Sequence, residues 1–549
     1  FGVSLRSSYD QSQNSDFVEQ ADVNYRHNGL DVFAMVRFDK TTSLQNDILE
    51  QTAFTDTIWT QKNYQHSNTD SRSIDGFNYD FNEYHSIGVR YDLSNALHTD
   101  MFTAFDSEIQ ADGLPYDILY STIAADAKSQ PEHQLNIYYA GQIGKGELTW
   151  DADYYSNTYT QYTINMENSQ DHEDRTVTSD NRVENQLTAT KVSYTHPLWG
   201  GSISVGGEYT YTNRHDDYVN QEGYVPTTYT RIREQNLAGY AQYSHPLPFG
   251  QANIGLRYEH VDFDYFENAT FVPGQSRVYD NIFPNISVNG QLGKVQFQVS
   301  YAAKTQRPNY SQLRNNITYA NRFTWQTGNP LLKPSVTHDI TAVGVWRFFQ
   351  AMVSYKVVRD YILYWGTQVE NQSATTLINY INHDRLPSLT VMLAASPTIG
   401  IWNLNASAIV MKQWFSLDAA GQRRTYNNPL FVGSLNNTFT LPAGFLLSAD
   451  FNYQSRGQVQ NITLKRPQYT LNIGLRKSLF NDALSIEARA NDLLLGCKQE
   501  ALLYMESAQM KDLSWSDTRS FSLTVRYKFN AAKSKYKGTG AGQDTINRM

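Results

Sequence analysis

Hydrophobic and polar residues alternate with a period of two along much of this chain. The clearest example is the run from Phe521 to Phe529. Successive side chains of a strand point to opposite faces, so this run has one apolar face and one polar face. The apolar face carries Phe521, Leu523, Val525, Tyr527 and Phe529, and the polar face carries Ser522, Thr524, Arg526 and Lys528. The pattern predicts a β-strand that separates an apolar environment from water.

The same alternation recurs in residues 254–259, 295–301, 445–454 and 469–476. Turn-forming sequences separate such runs, and short and long connections are expected to alternate. The short connections are predicted at residues 26–29, 92–97, 141–146, 196–201, 245–250, 290–293, 347–350, 397–400, 441–444 and 479–482. Longer polar connections are predicted at 157–183, 263–277, 305–334 and 491–518. Together they predict about 22 antiparallel strands with both chain ends on the short-turn side.

Composition favours a transmembrane β-barrel over a helical membrane protein. The chain has 38 Tyr, 26 Phe and 9 Trp, yet its mean hydropathy is -0.53. Its longest apolar-leaning stretch, residues 389–402, is interrupted by Thr, Ser, Pro and Gly. A transmembrane helix needs roughly 18 apolar residues, and the other structure that satisfies its backbone in lipid is a closed barrel. The net charge of -9 argues against a nucleic-acid partner. With Cys497 as its single cysteine, the chain forms no internal disulfide.

A soluble sandwich or solenoid would also show period-two alternation. Loops of similar length usually join sandwich strands at both ends, whereas here one end is predicted to be short throughout. The pattern therefore predicts an all-β transmembrane barrel at residues 1–529, with short periplasmic turns and long extracellular loops. Residues 530–549 are predicted to form a C-terminal periplasmic tail.

Residues 194–198 (Tyr-Thr-His-Pro-Leu) and 243–247 (Tyr-Ser-His-Pro-Leu) form a weak internal repeat. Each ends a predicted strand and opens a short turn, and the two copies are one up-and-down strand pair apart. Two explanations stay open at this point. The repeat is either a remnant of a duplicated hairpin or an instance of common turn chemistry.

Barrel size and three short motifs indicate a family. Barrels of about 22 strands typically have a lumen filled by a plug. Residues 307–313 (Arg-Pro-Asn-Tyr-Ser-Gln-Leu), 327–334 (Thr-Gly-Asn-Pro-Leu-Leu-Lys-Pro) and 533–542 (Lys-Ser-Lys-Tyr-Lys-Gly-Thr-Gly-Ala-Gly) occur in this order. They resemble segments of TonB-dependent receptor barrels, particularly the outer-membrane β-barrel proteins of Bacteroidetes-type bacteria.

This resemblance implies import of a scarce or bulky ligand across the bacterial outer membrane. The TonB complex would act through a plug domain expected upstream of Phe1 but not present in this chain. A surface lipoprotein is a further candidate partner, beside outer-membrane lipid. Two other functions stay open: a plugless passive channel, and an outer-membrane scaffold that holds a larger complex.

No catalytic motif is found, so we expect a non-enzyme without a cofactor. The chain has no nucleophile elbow, no His-Glu-x-x-His and no phosphate-binding glycine loop. Residues 171–174 (Asp-His-Glu-Asp) could coordinate a cation, but a charge run in a loop is more often solvated surface. No metal site is predicted.

The predicted outer connection 305–334 is the best candidate for ligand contact. Planar aromatic and guanidinium groups suit sugars, peptides or anionic chelates. An alternative is that its aromatic residues belong to the outer girdle of the barrel. The candidate ligand-binding residues are Arg307, Tyr310, Arg314, Arg322 and Trp325.

Charged residues near the short turns are expected to line the lower lumen and to face a plug. They lie on the face opposite the apolar one, within about two to eight residues of a predicted short turn. Water in the lumen is the simpler explanation for charges at these positions. The predicted plug-facing residues are Arg90, Glu208, Arg257, Asp450, Arg476, Glu487, Arg489 and Arg526.

Overall fold

The computed structural model describes residues 1–52, 64–369, 372–506 and 508–549. In this part of the chain, 22 strands form one antiparallel sheet that closes into a barrel. The first eleven strands are β1 (Gly2–Gln11), β2 (Ser15–His27), β3 (Leu30–Thr52), β4 (Tyr64–Asp80), β5 (His85–Ala111), β6 (Leu114–Ser129, continued by Glu132–Ile143), β7 (Gly146–Ser169), β8 (Arg175–Leu198), β9 (Gly201–Asn220), β10 (Thr228–Leu247) and β11 (Gly250–Glu267). The other eleven are β12 (Arg277–Leu292), β13 (Val295–Gln306), β14 (Ser335–Trp346), β15 (Phe349–Val369), β16 (Gln372–Ala395), β17 (Trp402–Gln413), β18 (Leu430–Leu441), β19 (Phe445–Gln454), β20 (Gln468–Leu479), β21 (Leu484–Asn491) and β22 (Ser520–Phe529).

Pairing between the last and the first strand closes the barrel. β22 runs antiparallel to β1, with Phe529 opposite Val3 and Phe521 opposite Gln11. Closure leaves the sheet without a free edge, which is the condition for a β-structure to span lipid. The predicted fold class, an antiparallel barrel of about 22 strands, is confirmed.

The two faces of the wall have opposite character. Ile473 is 40% exposed and Leu523 is 49% exposed, and both point away from the lumen. Their neighbours Asn472 and Thr524 point inward, and Thr524 shares a hydrogen bond with Ser8 of β1. Large exposed apolar side chains recur on the outward face of every part of the wall, as expected for a surface in contact with lipid. Examples from other strands are Val36, Leu237, Ile254, Leu256, Ile282, Val299, Ile340, Val353, Leu393 and Leu435.

The short turns lie on the side of the barrel that carries both ends of the strand series. All predicted short turns except one fall at the observed connections. The prediction of a turn at 92–97 is wrong because these residues lie inside β5, and residues 81–84 form the turn instead. Polar residues such as Asp92 and Ser94 resemble a turn in sequence, but they occupy inward positions of a continuous strand.

On the opposite side, the predicted alternation of short and long connections is only partly correct. β5 and β6 are joined by residues 112–113 alone, and β7 and β8 by residues 170–174. The predicted loop at 157–183 is wrong over most of its length, because β7 and β8 continue through it. The predicted loop at 263–277 is shortened in the same way, since β11 extends to Glu267. These strands project beyond the membrane, where polar residues on both faces are compatible with pairing.

The predicted loop at 491–518 contains a hairpin that extends the wall. Its strands Gln499–Tyr504 and Gln509–Ser516 pair with each other. The second strand also pairs with the outer part of β3, where Leu513 lies opposite Ile48. This outer hairpin therefore bridges the space above the shorter strands β21, β22, β1 and β2.

The repeated Tyr-x-His-Pro-Leu motif forms the same contact twice. The Tyr194 hydroxyl donates to the Ile143 carbonyl at 3.2 Å, and its ring stacks on His196. The Tyr243 hydroxyl donates to the Leu198 carbonyl at 3.4 Å, and its ring stacks on His245. In both cases the acceptor lies at the preceding short turn, so the motif connects neighbouring hairpins at this rim.

Residues 530–549 do not extend away from the barrel as a periplasmic tail. They run along the inner wall, where their partners include the inward-facing Asp31, Asp151 and Glu234. We call them the luminal tail. The sequence prediction failed here because the acceptors of the tail are distributed over distant strands, and their inward positions exist only in the closed barrel. In the described residues, no helix is long and apolar enough to span a membrane.

We predict that arginine is tolerated on the inward face of the wall and not on the outward face. Ile473→Arg or Leu523→Arg should lower the unfolding free energy in lipid by about 2–4 kcal/mol, because the charge enters hydrocarbon near the bilayer midplane. The matched neighbours Asn472→Arg and Thr524→Arg should have small effects. Chemical denaturation in liposomes measures all four variants. Equal losses on the two faces would contradict a hydrated lumen.

We also predict that the outer hairpin loosens as the pH rises. Burial, together with the nearby Asp47 carboxylate, raises the pKa of Asp512 to about 6 from its ordinary value of 3.8. Protonated Asp512 therefore stabilises the hairpin fully below about pH 4, and this contribution is lost as the pH rises through about 6. Hydrogen exchange of residues 499–504 and 509–516, corrected for intrinsic rates, should accelerate as the pH rises from about 4 to about 6.5 and should then level off.

Asp512→Asn should abolish this dependence, because the amide does not titrate. Asp418→Asn, which changes an exposed aspartate of the separate hairpin formed by strands Phe415–Ala419 and Gln422–Tyr426, should leave this dependence intact. A pH response that persists unchanged in Asp512→Asn would show that another group is responsible.

Candidate functional site

The chain between β13 and β14, residues 307–334, folds into the lumen. We call it the luminal segment. It contains a 3-10 turn at Tyr310–Gln312 and two short strands, Thr318–Asn321 and Thr324–Gln326, that pair as a hairpin. The partners of this hairpin and of the turn are inward-facing residues of the wall, so the segment lies across the interior and not outside the barrel.

Backbone hydrogen bonds attach the hairpin to the wall. Its second strand pairs in parallel with β16, with Trp325 opposite Leu377. The return leg of the segment then passes against its own first leg, and the Asn329 N–H donates to the Gln312 carbonyl at 2.6 Å. A Cβ on Gly328 would lie 2.5 Å from the Arg314 carbonyl oxygen, so this close approach requires glycine. The two sequence motifs at 307–313 and 327–334 are thus the two legs of one folded unit.

Apolar side chains of the luminal segment are buried against three parts of the wall. Tyr310, Leu313 and Leu332 pack in one cluster with residues of β10 and β11. Tyr319 and Trp325 pack in a second cluster, and Phe323 packs in a third with residues of β5 and β6. A fully buried side chain of this size contributes about 1.5–3 kcal/mol. The segment is therefore held as a defined structure.

Arg307 joins the first leg of the segment to two wall carboxylates. Its guanidinium lies 2.8 Å from Glu259 and 3.6 Å from Glu234. All three side chains are almost fully buried, so each charge needs its partner. The same Glu234 also accepts hydrogen bonds from Nη1 and Nη2 of Arg548 in the luminal tail.

Arg322 joins the hairpin to a second part of the wall, formed by β6 and β7. Its Nε donates to Glu167 at 2.9 Å, and its backbone N–H donates to the same carboxylate at 2.9 Å. A second wall carboxylate, Asp117, lies 3.9 Å away. Arg322 is 8% exposed and Glu167 is 2% exposed, which makes this a buried, charge-assisted contact.

The structure brings the five predicted ligand-binding residues into this one segment, but it gives most of them protein partners. Arg307 and Arg322 are engaged as described, and Trp325 is buried in the second cluster. Tyr310 is fully buried, and this burial raises the pKa of Tyr310 to about 12, so its phenol is neutral. Arg314 differs from them because it stays partly exposed, with Thr318 as a hydrogen-bond partner at 3.2 Å.

Sequence reasoning missed the wall residues that hold the luminal segment. These residues are the carboxylates Glu167, Glu234 and Glu259, together with Arg277. The Arg277 guanidinium donates hydrogen bonds to the carbonyls of residues 330, 331 and 332. Each of these four residues occupies an inward position of an alternating strand. This position was the only feature of the sequence that could have indicated their role. Alternation shows that a residue faces the lumen but not which distant residue it meets there.

The eight predicted plug-facing residues all occupy inward positions of the wall. Several are engaged with neighbouring wall residues: Arg257 lies 3.2 Å from Glu208, and Arg489 lies 3.0 Å from Asp450. Arg90 lies 3.3 Å from Asp92, and Glu487 is the cross-strand neighbour of Arg476. Within the part of the chain that the structure describes, Arg476 and Arg526 form no ion pair and are exposed to the lumen.

The charge run at 171–174 is part of a compact turn. The Asp171 N–H donates to Asp117 at 3.2 Å, and Asp174 accepts the Ser169 N–H at 2.9 Å. His172 lies 3.3 Å from Asp117. Across the described residues, no group of His, Cys, Asp and Glu side chains is arranged to hold a metal ion.

Comparison with known proteins gives a family and a fold. Residues 144–527, more than half of the chain, match the outer membrane protein beta-barrel family. No curated protein matches the sequence.

Solved structures match the barrel along 96% of this chain. The outer membrane transporter YddB from Escherichia coli is 13% identical, with 80% of it covered and a TM-score of 0.57. A ferric enterobactin receptor mutant from Pseudomonas aeruginosa is 12% identical, with 81% covered and a TM-score of 0.61. The FrpB iron transporter from Neisseria meningitidis is 14% identical, with 81% covered and a TM-score of 0.57. At these identities the likeness concerns the fold.

We predict that the buried pair of Arg322 and Glu167 holds the hairpin of the luminal segment in place. Arg322→Met leaves the Glu167 charge buried without its partner, which should cost about 3–5 kcal/mol of local stability. Hydrogen exchange of residues 318–326 measures this loss. The double variant Arg322→Met/Glu167→Met should recover much of it, because the buried Glu167 charge is removed as well and Asp117 keeps its contact with His172.

The exposed pair of Arg182 and Glu184 serves as the control. Arg182→Met should change stability by at most about 1 kcal/mol. If Arg322→Met behaves like this surface control, the pair does not anchor the hairpin.

Proposed function

Because the chain belongs to the outer membrane protein beta-barrel family, we propose that it is the barrel portion of a TonB-dependent transporter. It would import a scarce or bulky ligand across the bacterial outer membrane. The chain resides in that membrane, where lipid contacts the apolar outward face of the wall.

The observation that carries the proposal is the anchored luminal segment. An empty barrel of about 22 strands would be a wide aqueous pore. In this chain, buried ion pairs at Arg307 and Arg322 attach a folded segment to β10, β11 and β7, and backbone pairing attaches the same segment to β16, further around the wall. Such an anchored segment narrows a wide lumen, as expected for an importer that admits a selected ligand.

We further propose that the ligand contacts the luminal segment, with Arg314 as the side chain best placed for it. This guanidinium is partly exposed and is held by one hydrogen bond to Thr318. Two structural neighbours are named as an iron transporter and a ferric enterobactin receptor. Many iron chelates are anionic, and a guanidinium can bind an anion through two N–H groups. Iron chelates are therefore the first ligand class to test for binding at Arg314.

The proposed partners are the TonB complex, acting through a plug domain upstream of Phe1, and a surface lipoprotein. Arg476 and Arg526 are the candidates for plug contact, since both are exposed on the lower inner wall. The chain is proposed to act without catalysis. The structural neighbours are named as transporters and receptors, which supports this prediction without testing it.

Uptake by cells that express the protein separates the candidate functions. Labelled ferric chelates, corrinoids, oligosaccharides and peptides are supplied with and without a protonophore. A transporter should accumulate one probe class, and the protonophore should abolish this uptake. Uptake of small probes that is insensitive to the protonophore would instead identify a passive channel. Absence of any uptake, with the barrel present in the membrane, would favour the scaffold.

A further inference from the structure

The luminal tail follows a defined path around the inner wall. It leaves β22 at the rim with the short turns, where the Ala532 N–H donates to Asn24 at 3.2 Å and Arg26 donates to the Lys533 carbonyl at 2.8 Å. The Lys535 N–H then donates to Asp31 of β3 at 2.6 Å. The tail thus begins at the periplasmic mouth of the barrel and passes from β2 to β3.

Acidic residues of successive strands continue this path. Asp80 of β4 lies 3.3 Å from the Lys537 ammonium. Asp151 of β7 accepts the backbone N–H of Thr539 at 2.9 Å and that of Gly540 at 3.1 Å. Asp153 accepts the backbone N–H of the next two residues, 541 and 542, at 2.7 and 2.8 Å. Carboxylates that accept several backbone N–H groups form strong, directional contacts.

The glycines of the tail fit this close approach. Gly540 has φ +76°, a conformation that glycine adopts without strain. A Cβ on Gly542 would lie 2.6 Å from the Leu187 side chain of the wall. The Gly-Thr-Gly-Ala-Gly sequence therefore allows the backbone to lie directly on the wall.

Arg548 ends the path in a contact among three parts of the molecule. Its guanidinium binds Glu234 of β10 through two nitrogens, at 2.6 and 2.9 Å. Its Nε donates to the Pro308 carbonyl at 3.0 Å, and its guanidinium lies 4.4 Å from the centre of the Tyr310 ring. The Tyr310 N–H donates to the Arg548 carbonyl at 3.0 Å. Tail, wall and luminal segment thus meet at one almost fully buried guanidinium.

The two ends of the tail lie at different heights in the barrel. Asp31 is the second residue of β3, directly above a short turn. Glu234 is about 13 residues from the end of β10 at Leu247, or roughly 40 Å along the strand. A cavity of about 650 Å³ remains between the tail, the luminal segment and the wall, lined in part by Arg257, Lys304 and Asn547.

From this geometry we propose that the luminal tail is a detachable latch that connects the periplasmic mouth of the barrel to the luminal segment. While Arg548 is bound to Glu234, the latch holds residues 307–313 against β10 and β11. Displacing the tail from the periplasmic side breaks its contacts one after another, in the order of the chain, and the Arg548 contact last. Release of that contact frees the luminal segment. The existence of the latch is inferred from these contacts alone, whereas its role in import rests on the proposed function.

Hydrogen exchange of the full chain tests the latch through Arg548→Met. This variant removes the guanidinium contacts of Arg548 with Glu234, Pro308 and Tyr310, and Arg307 stays as the remaining cation beside Glu234. We expect exchange at residues 307–313 and at 540–549 to accelerate at least tenfold, while exchange in the barrel strands other than β10 and β11 stays as in the parent. Single-channel recordings in planar bilayers should show larger currents for the same variant.

A second variant displaces the tail by steric overlap with the wall. Gly542→Val introduces a side chain against Leu187 and leaves Arg548 in place, and it should produce the same two accelerations. The control is Arg423→Met, which breaks the exposed pair of Arg423 and Asp418 in the separate hairpin 415–426 and should change neither region. Each variant is checked for folding by its resistance to unfolding in detergent at room temperature, compared with that of the parent.

Two outcomes would overturn the proposal. One is a folded Arg548→Met or Gly542→Val protein in which the tail exchanges faster but residues 307–313 do not, because the tail would then only cover the wall. The other is unchanged exchange in both regions. Either result leaves uptake by the parent unaffected, so failure of the latch is distinguishable from failure of the transporter proposal.

Discussion

The hydrogen bonds between β22 and β1 are the interaction on which the rest of this structure depends. Lipid offers no partner for a backbone N–H or C=O, so a sheet can cross it only when its two edges pair. The pairing of Phe529 with Val3 and of Phe521 with Gln11 satisfies this requirement. Closure also gives the sheet an inner and an outer face. The period-two alternation of each strand then determines which side chains face the lumen and which face lipid. The same residue spacing that puts Leu523 into lipid puts Thr524 into the lumen.

The interior created by closure sets its own constraint, which is that charges shielded from water need partners. Acidic residues on the inward positions of β7, β10 and β11 are almost completely buried. The luminal segment and the luminal tail supply the matching cations, through Arg322, Arg307 and Arg548. The two elements are therefore complements of the wall, and Glu234, which both of them contact, is the point at which they become one assembly.

Much of the architecture could be predicted from the sequence, and the errors have a common physical origin. Alternation correctly indicated strands, facing and approximate strand number, because these follow from local geometry. The false turn at 92–97 and the overlong loop at 157–183 arose where the inner face or the extramembrane part of a strand is hydrated. At such positions polar residues are compatible with a strand and a turn alike. Pairing with neighbouring strands decides between the two, and this information is not local.

The candidate site shows the same division. From the sequence, residues 305–334 stood out as an aromatic and arginine-rich connection, and the motifs at 307–313 and 327–334 within it resembled segments of one receptor family. The sequence by itself determined a lipid-facing and a water-facing side for each strand, because side-chain direction in a strand depends only on position along it. Only the tertiary structure decided that Arg307, Arg322 and Arg548 meet Glu259, Glu167 and Glu234. These partners are far apart along the chain, and a closed wall is needed to bring inward-facing residues of different strands around one lumen.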